Sequence, residues 1–351
     1  MAGIAVLGTG AWGTALARLL ATEHARQAGE LDPLPVALWD HHADRAVRMA
    51  QARENVDYLP GFSFPRHLLV TGNLAEAVSD REVVLVVTPS QKVREQAAAI
   101  ASLLSPGAIV VSASKGIELH TKLRPTQVIA EELPQGTPIA TLSGPNLAVE
   151  VAKGLPAAAV VASRDPAAAE RVRALVTAPR FRVYVSDDPV GVELGGALKN
   201  IVALGVGISD GLGYGDNAKA SFMTRSLAEI ARVALAAGAN PMTLAGLSGL
   251  GDLIATCSSP LSRNRTLGLA LAEGRNLDEV LAERKSVAEG VTTTQAALEL
   301  AESLGVEMPV TREIARVLFE GKDVTEAVTD LMLREPRHEL HGFGDGGSQD
   351  E

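Results

Sequence analysis

A single cysteine, Cys257, stands in a chain of 351 residues, so no intramolecular disulfide can form. With no histidine between residues 121 and 337 to activate it, Cys257 reads as a small buried side chain rather than a nucleophile. The seven histidines are His24, His41, His42, His67, His120, His338 and His341. Their absence from the middle of the second half argues against a histidine acid/base there. Only His41 and His42 stand close together, and no other pair of ligands shows metal spacing, so no metal is expected. Excess positive charge is missing too. The formal net charge of −10 leaves no general basic face for nucleic acid or an anionic membrane. Apolar runs such as VVLVV are too short to span a bilayer, and no basic stretch precedes an apolar signal core. The expectation is a cytoplasmic protein with no integral membrane contact.

What is present is a hydrophobic fraction of 46% and 33 glycines, enough core for two domains. The chain opens with GIAVLGTGAWG, in which Ile4 to Leu7 read as a buried strand. Gly8 permits a tight turn, Gly10 lets backbone approach a pyrophosphate, and Gly13 lets the next helix pack closely. That helix, AWGTALARLLATEH, aims its first amides, from Ala11 onward, at phosphates. Trp12 is either part of this site or a packing aromatic.

The second strand, PVALWD, ends at Asp40, where an acidic residue would hold a ribose hydroxyl. Asp40 lies 27 residues beyond Gly13, and the polar ATEHARQAGELDPLP connection accounts for the excess over the usual interval. An ionised Asp40 repels a 2′-phosphate while His41 and Arg45 attract one, which inclines the reading to NAD over NADP. The alternative is that Asp40 caps the helix beginning near His42.

To about residue 188, EVVLVVTP, GAIVVSAS, PIATLSG, AAAVVAS and RFRVYVS alternate with helical segments, and LLVTGN adds a further strand. That pattern predicts an α/β fold, a doubly wound Rossmann-like parallel sheet over residues 1–188. Ligands then gather at the strand tips Thr88–Gln91, Ser114–Gly116 and Ser143–Asn146. Beyond Asp187 only helical periodicity remains, which predicts an all-helical substrate domain over 189–337. The polar, glycine-rich residues 338–351 read as a disordered tail.

Three constellations carry chemistry. Lys199 sits between LGGAL and NIVALGVG, a setting that lysines rarely enter without a partner. If desolvated, it exchanges a proton near neutral pH; the alternative is a lysine reaching to the surface. SGLGDLIATCSSPLSRNRTLG presents Asp252 on a glycine turn, and its SRNR run opens a helix that offers amides, a hydroxyl and guanidinium to a phosphate. SASKGIE places Lys115 at a strand end. Its S-x-x-K spacing has no S-D-N or K-T-G companion.

With these residues in view, the chain closely resembles the bacterial NAD(P)-dependent glycerol-3-phosphate dehydrogenases, over about residues 4–330. GTGAWG, SKGIE, SGPNLAVEVAKGLP, GVELGGALKNIVALGVGISDGLGYGDNAKA and GLGDLIATCSSPLSRNR all look like family signatures. The resemblance implies that Lys199 exchanges a proton with dihydroxyacetone phosphate or glycerol 3-phosphate and that Asp252 orients it. It also implies substrate contacts at Lys115, Gly144, Asn200 and Thr256, with Ser262, Arg263 and Asn264 on the phosphate. For the cofactor, NAD or NADP, it implies Trp12, His41, Lys115, Ala148, Arg263, Val287 and Glu289, and for the assembly a homodimer. Two other readings compete: a dinucleotide sensor without chemistry, and a dehydrogenase of another 2-hydroxy compound.

Overall fold

The computed structural model describes residues 3–29, 33–283, 288–335 and 338–339. Val287 and all but two residues of the expected tail lie outside the described residues. Eight strands form one sheet: β1 (Gly3–Leu7), β2 (Val36–Trp39), β3 (Leu68–Thr71), β4 (Arg81–Val86), β5 (Ile109–Ser112), β6 (Ile139–Ser143), β7 (Ala157–Ala162) and β8 (Phe181–Ser186). Their order is β8-β7-β6-β5-β4-β1-β2-β3, so the order reverses between β1 and β4. Crevices form at such a reversal, outside the carboxyl ends of the strands.

β1 is buried along its whole length because helices cover both faces of the sheet. Ile4 and Val6 join one apolar cluster, Ala5 and Leu7 another, as the two-residue period of a strand requires. Each such Leu or Ile side chain contributes roughly 1.5–3 kcal/mol by leaving water.

One pairing departs from the expected parallel sheet: β7 runs antiparallel to β6. The helix between them, Ala148–Ala152, has only five residues. At about 1.5 Å per residue it is too short to carry the chain back along β6. The 11-residue helix Pro166–Val176 then restores a parallel crossover from β7 to β8. A small hairpin, Glu54–Asn55 with Leu59–Ser63, was not expected from the sequence.

After Ser186 no strand occurs among the described residues. Asp188 accepts a hydrogen bond from the Gly191 amide, and Pro189 follows it in the first turn of the central helix, Pro189–Gly211. Almost all of this helix is buried. By length and composition alone it could cross a membrane, but its whole apolar window lies inside the helical half. Helices Gly215–Ala236, Asp252–Ser258, Arg263–Ala272, Glu289–Ser303, Pro309–Phe319 and Val324–Leu333 surround it. Gly268 lets Arg263–Ala272 touch it backbone to backbone, since a Cβ there would stand 2.0 Å from the Leu204 carbonyl oxygen. That contact sets the SRNR turn beside the central helix. Glu193, buried in the same helix, accepts from the Arg124 guanidinium and from the Thr126 amide at 2.8 Å, joining the helical half to the sheet half.

Candidate active site

The end of β1 turns sharply into helix Ala11–Gln27. Gly8 has φ of +123°, a conformation costly for other residues, and a Cβ on Gly13 would stand 2.0 Å from the Gly8 carbonyl oxygen. Gly10 differs: a Cβ there would meet nothing within 4 Å. The three glycines therefore make a tight turn, a close helix contact and an open face, the geometry that suits a pyrophosphate. The first amides of the helix, including those of Ala11 and Trp12, have no carbonyl partner within it and face the same turn. The Trp12 ring packs 6.2 Å from that of Phe181, and Ala148 opens the short helix against which Ala11–Gln27 rests.

Asp40 directly follows β2 and is fully buried. Its Oδ1 accepts from the His42 amide at 2.8 Å and from Arg45 Nη2 at 2.9 Å. Its Oδ2 accepts from Arg45 Nε at 2.5 Å and from the Thr9 hydroxyl. Burial pushes this carboxyl up, but the Arg45, Thr9 and His42 donors outweigh it and hold the group below its ordinary value. The His41 ring lies 3.9 Å from that of His42 and is mostly exposed.

The three strand tips meet. Ser114 Oγ donates to the Thr88 carbonyl at 2.6 Å, Gly116 faces Ser90, and Lys115 Nζ donates to the Gly144 carbonyl at 3.0 Å. Lys115 Nζ also donates to Asp252 Oδ2 at 2.6 Å, while Lys199 Nζ donates to Asp252 Oδ1 at 2.7 Å. Thr256, one helical turn beyond Asp252, receives Lys199 Nζ at 2.5 Å. A π-helical turn, Leu247–Gly251, leads into Asp252; such turns are rare and recur at functional sites. Lys199 is 6% exposed. Desolvation brings its ammonium down to about 8, despite the opposing charge of Asp252.

Beside this cluster Ser262 caps the helix Arg263–Ala272, accepting from the Arg265 amide at 3.3 Å. Arg263 is exposed, and Asn264 Oδ1 accepts from the Gly290 amide at 3.1 Å. Asn200 is buried, its carbonyl oxygen against Gly290. Glu289 opens the following helix. Desolvation raises its carboxyl to about 7, although Arg263 and the Ser90 amide pull the other way. Sequence reasoning missed two buried hydroxyls on these segments, Ser248 and Thr293; like Thr88 and Ser143 on the expected strand tips, they have no partner among the described residues. It also missed the Lys115–Asp252 contact, which joins residues 137 apart and leaves no local pattern.

Two family models now account for nearly the whole chain. The NAD-dependent glycerol-3-phosphate dehydrogenase N-terminus matches residues 3–169 and the corresponding C-terminus residues 188–329. The chain belongs to this dehydrogenase family. It is 49% identical over 303 residues to the glycerol-3-phosphate dehydrogenase [NAD(P)+] of Thermobifida fusca, covering 86% of this chain and 88% of that one. The Geobacter metallireducens protein of the same name is 46% identical, with 96% and 98% covered. Among solved structures, the Coxiella burnetii glycerol-3-phosphate dehydrogenase superposes with a TM-score of 0.88 at 38% identity, covering 95% of this chain and 99% of that one. As a family member the chain is an NAD(P)-dependent oxidoreductase that interconverts dihydroxyacetone phosphate and sn-glycerol 3-phosphate, in supply of glycerophospholipids.

Proposed function

We propose that Lys199 is the acid/base of this dehydrogenase and that Asp252 sets its position. The observation that carries this reading is the shared carboxylate, which holds two ammonium groups, one of them brought down to about 8, at the meeting point of three strand tips. When bound, the dinucleotide supplies or accepts hydride at the substrate carbon. Lys199 Nζ gives its proton to the carbonyl oxygen during reduction and takes it from the 2-hydroxyl during oxidation. Thr256 and Asp252 keep Nζ aimed, and Lys115 adds a second positive charge toward the developing alkoxide.

Ser262, Arg263 and Asn264 hold the substrate phosphate at a helix N-terminus, which fixes the reacting carbon against Lys199. Gly144 lends backbone to the same pocket, and Asn200 and Thr256 line it. Gly8, Gly10, Ala11, Trp12 and Gly13 receive the diphosphate, His41 lies toward the adenosine, and Ala148, Arg263 and Glu289 complete the cofactor side. The chain divides near residue 188 into a dinucleotide-binding and a helical catalytic domain, acts in the cytoplasm and pairs as a homodimer through its helical domains.

The test is loss of reduced-nicotinamide absorbance with dihydroxyacetone phosphate, run with NADH and NADPH, and with dihydroxyacetone as the unphosphorylated control. Lys199→Met is expected to abolish turnover while NADH still binds. Retained turnover removes Lys199 from the mechanism, and coenzyme binding without any turnover by the wild-type protein points to a sensor.

A further inference from the structure

The acidic residue at the end of the second strand usually accepts the ribose hydroxyls and, by its charge, turns away a ribose 2′-phosphate. In this chain that residue is occupied. All four hydrogen bonds to the Asp40 carboxylate come from the protein, two of them from a bidentate Arg45. Asp40 has no exposed surface, whereas the Arg45 side chain keeps 16% of its own. Arg45 spends Nε and Nη2 on Asp40, and among the described residues nothing accepts from its Nη1. The guanidinium also lies 5.5 Å from the Tyr58 ring centre, which holds it in place from the other side. The mostly exposed His41 ring stands beside this pair.

We propose that Arg45 is the residue that sets coenzyme choice: by clamping Asp40 it cancels the acidic selection against a 2′-phosphate and presents its own guanidinium to that phosphate, so the site takes NADPH as well as NADH. A free Asp40 would favour NAD, the direction in which the sequence alone inclined; the clamp takes away that charge-based bias without excluding NADH. The inference rests on the dinucleotide site of the family and not on the role given to Lys199, because it concerns binding alone.

The experiment is titration of the full chain with NADH and with NADPH, followed by nicotinamide fluorescence without substrate. The wild-type protein is expected to bind both within about tenfold of each other. Arg45→Gln is expected to weaken NADPH at least tenfold more than NADH, because the released Asp40 carboxylate then opposes the phosphate. Adding Asp40→Asn to that variant is expected to return part of the NADPH affinity by removing the opposing charge. If Arg45→Gln does not fold, Arg45→Lys keeps the charge and loses the fork; a shift of threefold or more against NADPH supports the proposal. An NADPH to NADH affinity ratio unchanged within twofold in a folded Arg45 variant overturns it, as does a wild-type protein that rejects NADPH by a hundredfold.

Discussion

Lys115 and Lys199 bind opposite oxygens of one carboxylate, Asp252 Oδ2 at 2.6 Å and Oδ1 at 2.7 Å. Two ammonium groups on one buried carboxylate cannot both be fully compensated. Desolvation acts hardest on Lys199, the more buried of the two, and the charge of Lys115 adds to its depression. The result is that Lys199 is brought down to about 8 while it shares its carboxylate with Lys115.

The first prediction concerns pH. With Lys199 at about 8, reduction of dihydroxyacetone phosphate should lose rate as pH rises past that value, because the donor has lost its proton. Oxidation of glycerol 3-phosphate should gain rate over the same interval. Asp252 favours the charged lysine, so Asp252→Asn should move both profiles to lower pH as well as slow the enzyme. Profiles of kcat in the two directions check this; coincident, pH-independent limbs would deny Lys199 the proton.

A second prediction separates the phosphate anchor from the chemistry. Arg263→Ala should lower kcat/KM for dihydroxyacetone phosphate by about 10- to 100-fold, the loss of one charge-assisted hydrogen bond worth about 1.5–3 kcal/mol. The rate with unphosphorylated dihydroxyacetone should fall less, by only the share that Arg263 contributes to the cofactor side. Equal losses on both ketones would remove Arg263 from the substrate phosphate and leave it to the cofactor or the fold alone.

The glycine turn yields a third. Gly13→Ala places a Cβ 2.0 Å from the Gly8 carbonyl oxygen and should cost about 1–3 kcal/mol of stability. Gly10→Ala meets no protein atom within 4 Å, so its melting temperature should stay near the wild-type value. Its coenzyme Kd should rise all the same, since the added methyl enters the open face. Thermal melts paired with coenzyme titration distinguish the two substitutions.

Local signals made much of this legible. The apolar run before Gly8 and the helical periodicity after it announce the dinucleotide turn, and Lys199 stands out because a lysine is improbable amid LGGAL and NIVALGVG. Contacts between distant segments left no such trace. The Lys199–Asp252 bond spans 53 residues, and the sequence joined the two only through family resemblance. The reversal of β7 depends on how short the preceding helix turns out to be, and boundaries are what residue patterns specify least. Asp40 shows the same limit from the other side. Its position after the second strand was plain, but its partner was decided by Arg45 reaching back from the next helix.

The last prediction concerns stability and rests on a carboxyl outside the active site. Glu229 is buried, and it accepts from the Val310 amide at 3.0 Å and the Thr311 amide at 3.1 Å, so it caps helix Pro309–Phe319. Desolvation raises it from an ordinary 4.5 to about 7, more than the two amides lower it. The folded protein therefore holds this proton at pH values where the unfolded chain has released it. Stability from that difference is fully present below about 4.5 and is lost as pH climbs toward about 7, at no more than about 1.4 kcal/mol per pH unit. Glu289, raised to about 7 by the same cause, pulls in the same direction. Glu229→Gln removes the titration but keeps an oxygen for only one of the two amides, which bond different oxygens of Glu229; its melting temperature should start lower, yet fall less between pH 5 and pH 7 (roughly the titration window) than that of the wild-type chain. Parallel curves for the two proteins would show that Glu229 is already ionised throughout that range.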